Sequence, residues 1–210
     1  MVINQVKTNP VLMAHLLRRA GFGSDFIELK KYTNKSYEDV VEDLIHPEKF
    51  PEVEDGLISR YYTSLAANKD NPGPWNSRWF YKMINTERPL QEKMTLFWHH
   101  VLATGWTKSE HTPSMVNHIQ MLRENGLGNF RTILIELSKD PAMIYWLDNN
   151  ENHSKSINEN YGREILELFS MGIGNYSEDD IKNAARAFTG WSFKQPLPLY
   201  PFGQYETEFI

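Results

Sequence analysis

Apolar residues along this chain recur at three- and four-residue spacings, broken by short polar, glycine- or proline-bearing stretches. That period is helical, and the breaks fall where helices start and stop. Asn9-Pro10 opens the first helix, with proline where no backbone N–H is needed, and Gly21 closes it. The second begins near Ser24-Asp25 and the third near Ser36, whose Ser-Tyr-Glu-Asp run resembles a capping box. A longer helical stretch is expected from Asp55 to Ala67, then a loop at Asn71–Pro74 and an aromatic helix from Trp75 to Asn85. Pro89 starts a helix reaching Ala103, and Pro113 starts one that stops near Gly126. Asn129 caps Phe130–Ser138, and Asp140-Pro141 starts a short helix ending near Leu147. Asp148–Ile157 is polar and reads as a loop. Asn158–Gly172 follows, then a last helix whose opening acids, Glu178 to Asp180, suit the helix dipole.

These patterns predict an all-α fold, an irregular bundle of about nine to eleven short helices over residues 1–193. Residues 194–210 read as an irregular, aromatic-rich tail, expected to be the point where a larger fold is cut. There is no internal repeat and no strand–helix alternation.

Two predicted helices carry polar residues that invite chemistry. In Leu90–Ala103, residues Leu90, Met94, Phe97, Trp98, Val101 and Leu102 form a wide apolar arc. Glu92 and His99 fall within about 20° of each other on the opposite side, which they share with Leu96 and Ala103. The helix is therefore expected to be buried, and a buried carboxylate and imidazole need partners. The ordinary reading of His99 is an imidazole satisfied by a backbone carbonyl. His100 points elsewhere and reads as a surface residue. In Asn158–Gly172, residues Tyr161, Ile165, Leu166, Leu168 and Phe169 face one way, and Glu159, Asn160, Arg163, Glu164 and Glu167 the other. Any surface amphipathic helix looks like this. If that face lines a cleft, Glu164 and Glu167 could bind a metal, or Glu164 could act as an acid–base group whose pKa Arg163 sets.

Composition removes other classes. The chain has 210 residues, no cysteine and a net charge of −5. Disulfides, thiolate zinc sites and cysteine nucleophiles are excluded. A nucleic-acid binder would show a basic footprint. No apolar run approaches the ~18 residues of a membrane span, and no signal peptide is visible at the start. His111 and His118 lack a metal-motif spacing and read as non-ligands. Arg18 and Arg19 complement a helix C-terminus.

Four ordered blocks carry a family resemblance: Ala14–Gly23, Glu92–Gly105, Asp140–Asn152 and Asn158–Trp191. Together they resemble the bacterial domain-of-unknown-function-1800 (DUF1800) family, over about residues 10–193. The resemblance marks His15, Arg19, Phe22 and Gly23, then Trp98 and His99. In the last block it marks Asn158, Glu159, Asn160, Arg163, Glu164, Glu167, Gly172, Tyr176, Arg186, Thr189, Gly190 and Trp191. Relatives often carry a second histidine shortly after the first, where this chain has Val101. The resemblance implies a bacterial protein of a family whose members are longer, are often exported and often sit beside a second, co-encoded exported protein.

The leading expectation is an enzyme-like helical domain doing hydrolytic or metal-assisted chemistry, with a divalent metal as an admissible cofactor. His99 would be base or ligand, Glu164 or Glu167 its carboxylate partner, and Arg163 the anion-holding or orienting group. Glu159, Asn160, Arg19 and Arg186 would bind. The alternative is a non-catalytic helical module in an envelope or secretion-associated assembly, with the polar residues fixing helix crossings. A third reading is polymer binding by Trp75, Trp79, Phe80 and Tyr81.

Overall fold

The computed structural model describes residues 8–54, 56, 60 and 71–193. The expected helix at 55–67 and the tail at 194–210 lie outside, or almost wholly outside, the described residues. Among the described residues the α-helices with defined bounds are α1 Pro10–Ala20, α2 Phe26–Tyr32, α3 Tyr37–Ile45, α4 Gly73–Asn85, α5 Pro89–Val101, α6 Trp106–Ser109, α7 Thr112–Asn125, α8 Phe130–Lys139, α9 Pro141–Trp146, α10 Asn160–Glu167 and α11 Glu178–Ala187. Short 3-10 turns occupy Pro47–Lys49 and Asn149–Glu151. Among the described residues there is no β-strand, and the fold is all-α.

The caps act as their residue types dictate. The side chains of Asn9, Asp25, Ser36, Asn129 and Asp140 each accept a backbone N–H of the helix they open. Ser177 and Asp180 form a reciprocal capping box on α11. The Asn158–Gly172 helix ends earlier than its periodicity implies. After Glu167 the backbone bonds lengthen to Phe169 N–Glu164 O and Gly172 N–Leu166 O. Gly172 takes φ +78, the left-handed turn that closes a helix and that glycine adopts without a Cβ penalty.

The described residues divide into two compact units, one holding residues 8–54, 56 and 60 with Gly73–Phe97, the other holding Asn71, Pro72 and residues 98–193. In the first unit Met13, Leu17, Val40 and Leu44 form the core, with Leu29, Tyr32 and Leu90 packed on it. The Trp79 indole N–H donates to the buried Glu92 carboxylate at 2.9 Å. The second unit is larger. Leu102, Leu122, Ile133, Leu137, Met143, Tyr161, Ile165 and Phe169 make its core. There α7 packs on α8 and α9, and α10 packs on α11. A Cβ on Gly162 would lie 2.8 Å from the Ala185 backbone nitrogen, so glycine is what lets α10 and α11 approach this closely.

The burial of α5 departs from its apolar arc. Glu92 and Thr95 are buried, whereas Phe97 and Val101, which belong to the arc, are exposed. The reason is hydrogen-bonding: the Thr95 hydroxyl bonds back to the Gln91 carbonyl and Glu92 receives an indole N–H. Satisfied polar groups can therefore face inward while apolar ones remain outside.

Candidate functional site

The chemistry-bearing side chains of the second unit fall into three groups, and α7 carries two of them. Its buried face runs Ser114, His118 and Leu122, at the four-residue steps that put residues on one side of a helix, and Thr112 is buried at its start.

At the base of that face, the His118 Nδ1 lies 2.6 Å from Asp140 Oδ2, and both side chains are almost wholly buried. Asp140 also caps α9 through Oδ1, which accepts the Ala142 N–H at 2.7 Å. One carboxylate thus ties α7 to the start of α9. The His118 Nε2 is enclosed and has no hydrogen-bond partner. The His99 ring stands edge-on beside it, with centroids 5.7 Å apart. Burial first, then the neighbouring His118 and His100, lower the His99 pKa to about 4, so His99 is neutral at ordinary pH. Nearby, the Tyr161 hydroxyl donates to Ser138 Oγ at 2.8 Å, and burial pushes its pKa far above the usual phenol value.

At the other end of the face, His111 caps α7. Its Nδ1 lies 2.7 Å from Ser114 Oγ and accepts the Ser114 N–H at 3.4 Å. Because that nitrogen accepts a backbone N–H, it carries the lone pair, and the serine hydroxyl donates to it. Both residues line a pocket whose other walls are Ser109, Pro141, Ala142, Tyr145 and Phe193.

The third group is the polar face of α10. Arg163 grips Glu178 through two bonds of 3.1 Å and lies 3.6 Å from Glu159. The Tyr176 hydroxyl donates to Glu167 at 2.7 Å, a bond that pushes its pKa up to about 12. The Glu164 pKa is raised by burial first and then by Glu167, with Arg163 opposing. Arg163 is therefore not what sets it. None of Glu159, Glu164 and Glu167 hydrogen-bonds or ion-pairs with His99, whose ring meets His118 instead. Asn160 donates to the Leu147 carbonyl. Arg186 is exposed and bonds Asn183, and Arg19 is exposed in the first unit. Among the described residues no group of three or more His, Asp or Glu is arranged to hold a metal ion.

Residues 15–209 match the DUF1800 family, described as a protein of unknown function. The chain belongs to the DUF1800 family. No curated protein and no solved structure matches it. The residues that the family resemblance marks in this DUF1800 chain are largely engaged internally. Asn158 Oδ1 accepts the Asn160 N–H and its amide donates to the Asp148 carbonyl, while Gly172 and Gly190 both take positive φ. No helix among the described residues is long and apolar enough to cross a membrane.

Sequence reasoning set aside His118 and His111 and read Asp140 only as a cap. The signal available was the spacing His111, Ser114, His118, which shares one helical face. The pairing of His118 with Asp140 spans 22 residues and belongs to tertiary packing.

Proposed function

We propose that this domain is a helical hydrolase of the acyl-transfer type, with Ser114 as nucleophile and His111 as its base. The observation that carries the reading is a serine hydroxyl 2.7 Å from an imidazole lone pair inside a pocket. That is the geometry nucleophile activation requires. Ser114 Oγ attacks the acyl carbon and its proton passes to His111 Nδ1. The same nitrogen returns the proton to the departing alcohol, and water then hydrolyses the acyl-serine. Negative charge developing on Oγ falls in the first turn of α7, the positive end of its dipole. Ser109 Oγ holds only a long 3.4 Å bond to the Gly105 carbonyl, so it can turn to the substrate oxygen at little cost. The apolar walls favour esters with a small apolar acyl group.

The test is labelling by a fluorophosphonate probe together with hydrolysis of a panel of p-nitrophenyl esters. Wild type is expected to label at Ser114, and Ser114→Ala to lose both label and hydrolysis. His111→Gln should slow hydrolysis on the order of a hundredfold or more. A wild type that neither labels nor hydrolyses any ester would sink the reading.

A second reading is a non-catalytic helical module in an envelope or secretion-associated assembly, working with a co-encoded exported protein. It is supported by the engagement of Asn158, Asn160, Arg163 and Glu167 within the fold. Co-purification with the co-encoded protein, weakened by changes on the exposed surface and not by Ser114→Ala, would favour it. Metal-assisted chemistry on Glu164 or Glu167 calls for a partner other than His99.

A further inference from the structure

The outer faces of the first two helices share a pattern that neither reading uses. On α2, Leu29 and Tyr32 pack on the core, which turns Phe26, Ile27, Lys30 and Lys31 outward. Phe26 is 80% exposed and Ile27 79%. On α1, Met13 and Leu17 are buried, while Val11, Leu12, Arg18 and Arg19 are exposed. Each helix thus carries an exposed apolar pair in its first turn and a basic pair in its last. The two helices pack on each other and turn away from the same core. The helix dipole accounts for cations in a last turn, but not for large apolar side chains left in water. Residues 8–35 hold five basic and two acidic residues, in a chain whose net charge is −5. Among the described residues Arg18, Arg19, Lys30 and Lys31 form no ion pair, whereas Lys35 is held by Asp43. Of the two acids, Asp25 is engaged in capping α2 and Glu28 lies on its flank.

We propose that this face docks on an anionic bilayer surface. Phe26 and Ile27, with Val11 and Leu12, enter the boundary between headgroups and acyl chains, and the four cations meet lipid phosphates. Charge is the first reason. Cations without ion-pair partners, set beside apolar side chains on a helix surface, are what hold a protein at an anionic interface. Shape is the second. Side chains four-fifths exposed project from the surface instead of lining a groove, so a rigid protein partner would need a matching hollow. A fluid interface closes around them without one. The second unit supplies a contrast: Ile173 is also 79% exposed, but residues 168–177 around it hold no cation. Docking of this kind needs no spanning helix. The inference rests on neither functional reading above.

The test is co-sedimentation of the purified full chain with vesicles of phosphatidylcholine alone, and of phosphatidylcholine mixed with phosphatidylglycerol. Wild type should bind the mixed vesicles, leave the neutral ones, and bind less as salt rises. Phe26→Ser with Ile27→Ser should weaken binding about tenfold. Arg18→Gln, Arg19→Gln, Lys30→Gln and Lys31→Gln together should weaken it on the order of a hundredfold or more. Ile173→Ser should bind like wild type. Every changed side chain is exposed, so circular dichroism should show all three variants folded. Wild type that stays in the supernatant with mixed vesicles would overturn the inference and leave the face to an acidic protein. Affinity unchanged by Phe26→Ser with Ile27→Ser would overturn it as well, since adsorption would then be by charge alone. Neither failure touches ester hydrolysis or fluorophosphonate labelling at Ser114.

Discussion

Asp140 does two jobs that can be separated by substitution. Its Oδ1 caps α9 and its Oδ2 holds His118. Asp140→Asn keeps the first, since asparagine caps as well as aspartate. It removes the charge-assisted bond to His118, worth about 1.5–3 kcal/mol. The ring can change tautomer to accept from the new amide, but Nε2 then carries an N–H with no acceptor in an enclosed site. Asp140→Ala removes both functions. The lost cap costs about 1 kcal/mol and breaking a buried pair about 3–5 kcal/mol. The expected losses are therefore about 2 kcal/mol for Asn and about 4–6 kcal/mol for Ala. For a chain this long, each kcal/mol moves the thermal midpoint by about 2–4 °C. Urea and thermal unfolding at neutral pH, followed by circular dichroism, would measure both. Equal losses for the two variants, or a loss under about 1 kcal/mol for Ala, would refute the account of Asp140 as a tie between α7 and α9.

Other consequences can be measured alongside. Gly162→Ala forces α10 and α11 apart, because the new Cβ meets backbone at 2.8 Å. A loss of about 1–3 kcal/mol is expected despite alanine's better helix propensity, and a stabilised variant would contradict the close approach. His99 titrates at about 4 in the fold against 6.5 normally, so on acidification the unfolded chain takes the proton first. Its contribution to stability is complete above pH 6.5 and declines between 6.5 and about 4. His99→Gln should flatten that part of the stability–pH curve, and an unchanged slope would refute the depressed pKa. Tyr161→Phe removes the bond to Ser138 at a cost of about 1 kcal/mol, measured by urea unfolding. Arg163→Met breaks an exposed grip on Glu178, so its small destabilisation should disappear at high salt. A salt-independent loss would place Arg163 in a buried role instead.

Much of the architecture was legible in residue order alone. Proline, glycine, asparagine, aspartate and serine punctuate the chain, and their effects on φ and on helix-end N–H groups are local. Ser177 with Asp180, Asn129, and Asp140 before Pro141 therefore marked helix starts without knowledge of the fold. Residue pattern also placed His99 and the α10 carboxylates on helices worth attention. What it left open was which of these would meet. Periodicity gives the face of a helix, not the element opposite it. On α5 it placed Phe97 and Val101 in the apolar arc, but these are exposed, while Glu92, which accepts an indole N–H, and Thr95, which donates to the Gln91 carbonyl, face inward. His99 shares helical spacing with nothing that identifies His118 as its neighbour. The Asp140–His118 pair and the Arg163–Glu178 grip arise where separate helices meet, and the locally paired His111 and Ser114 gain their pocket only from Pro141, Ala142 and Tyr145 of another helix. Helix ends follow from side chains a few residues away, whereas a site needs groups far apart in the chain to be packed together.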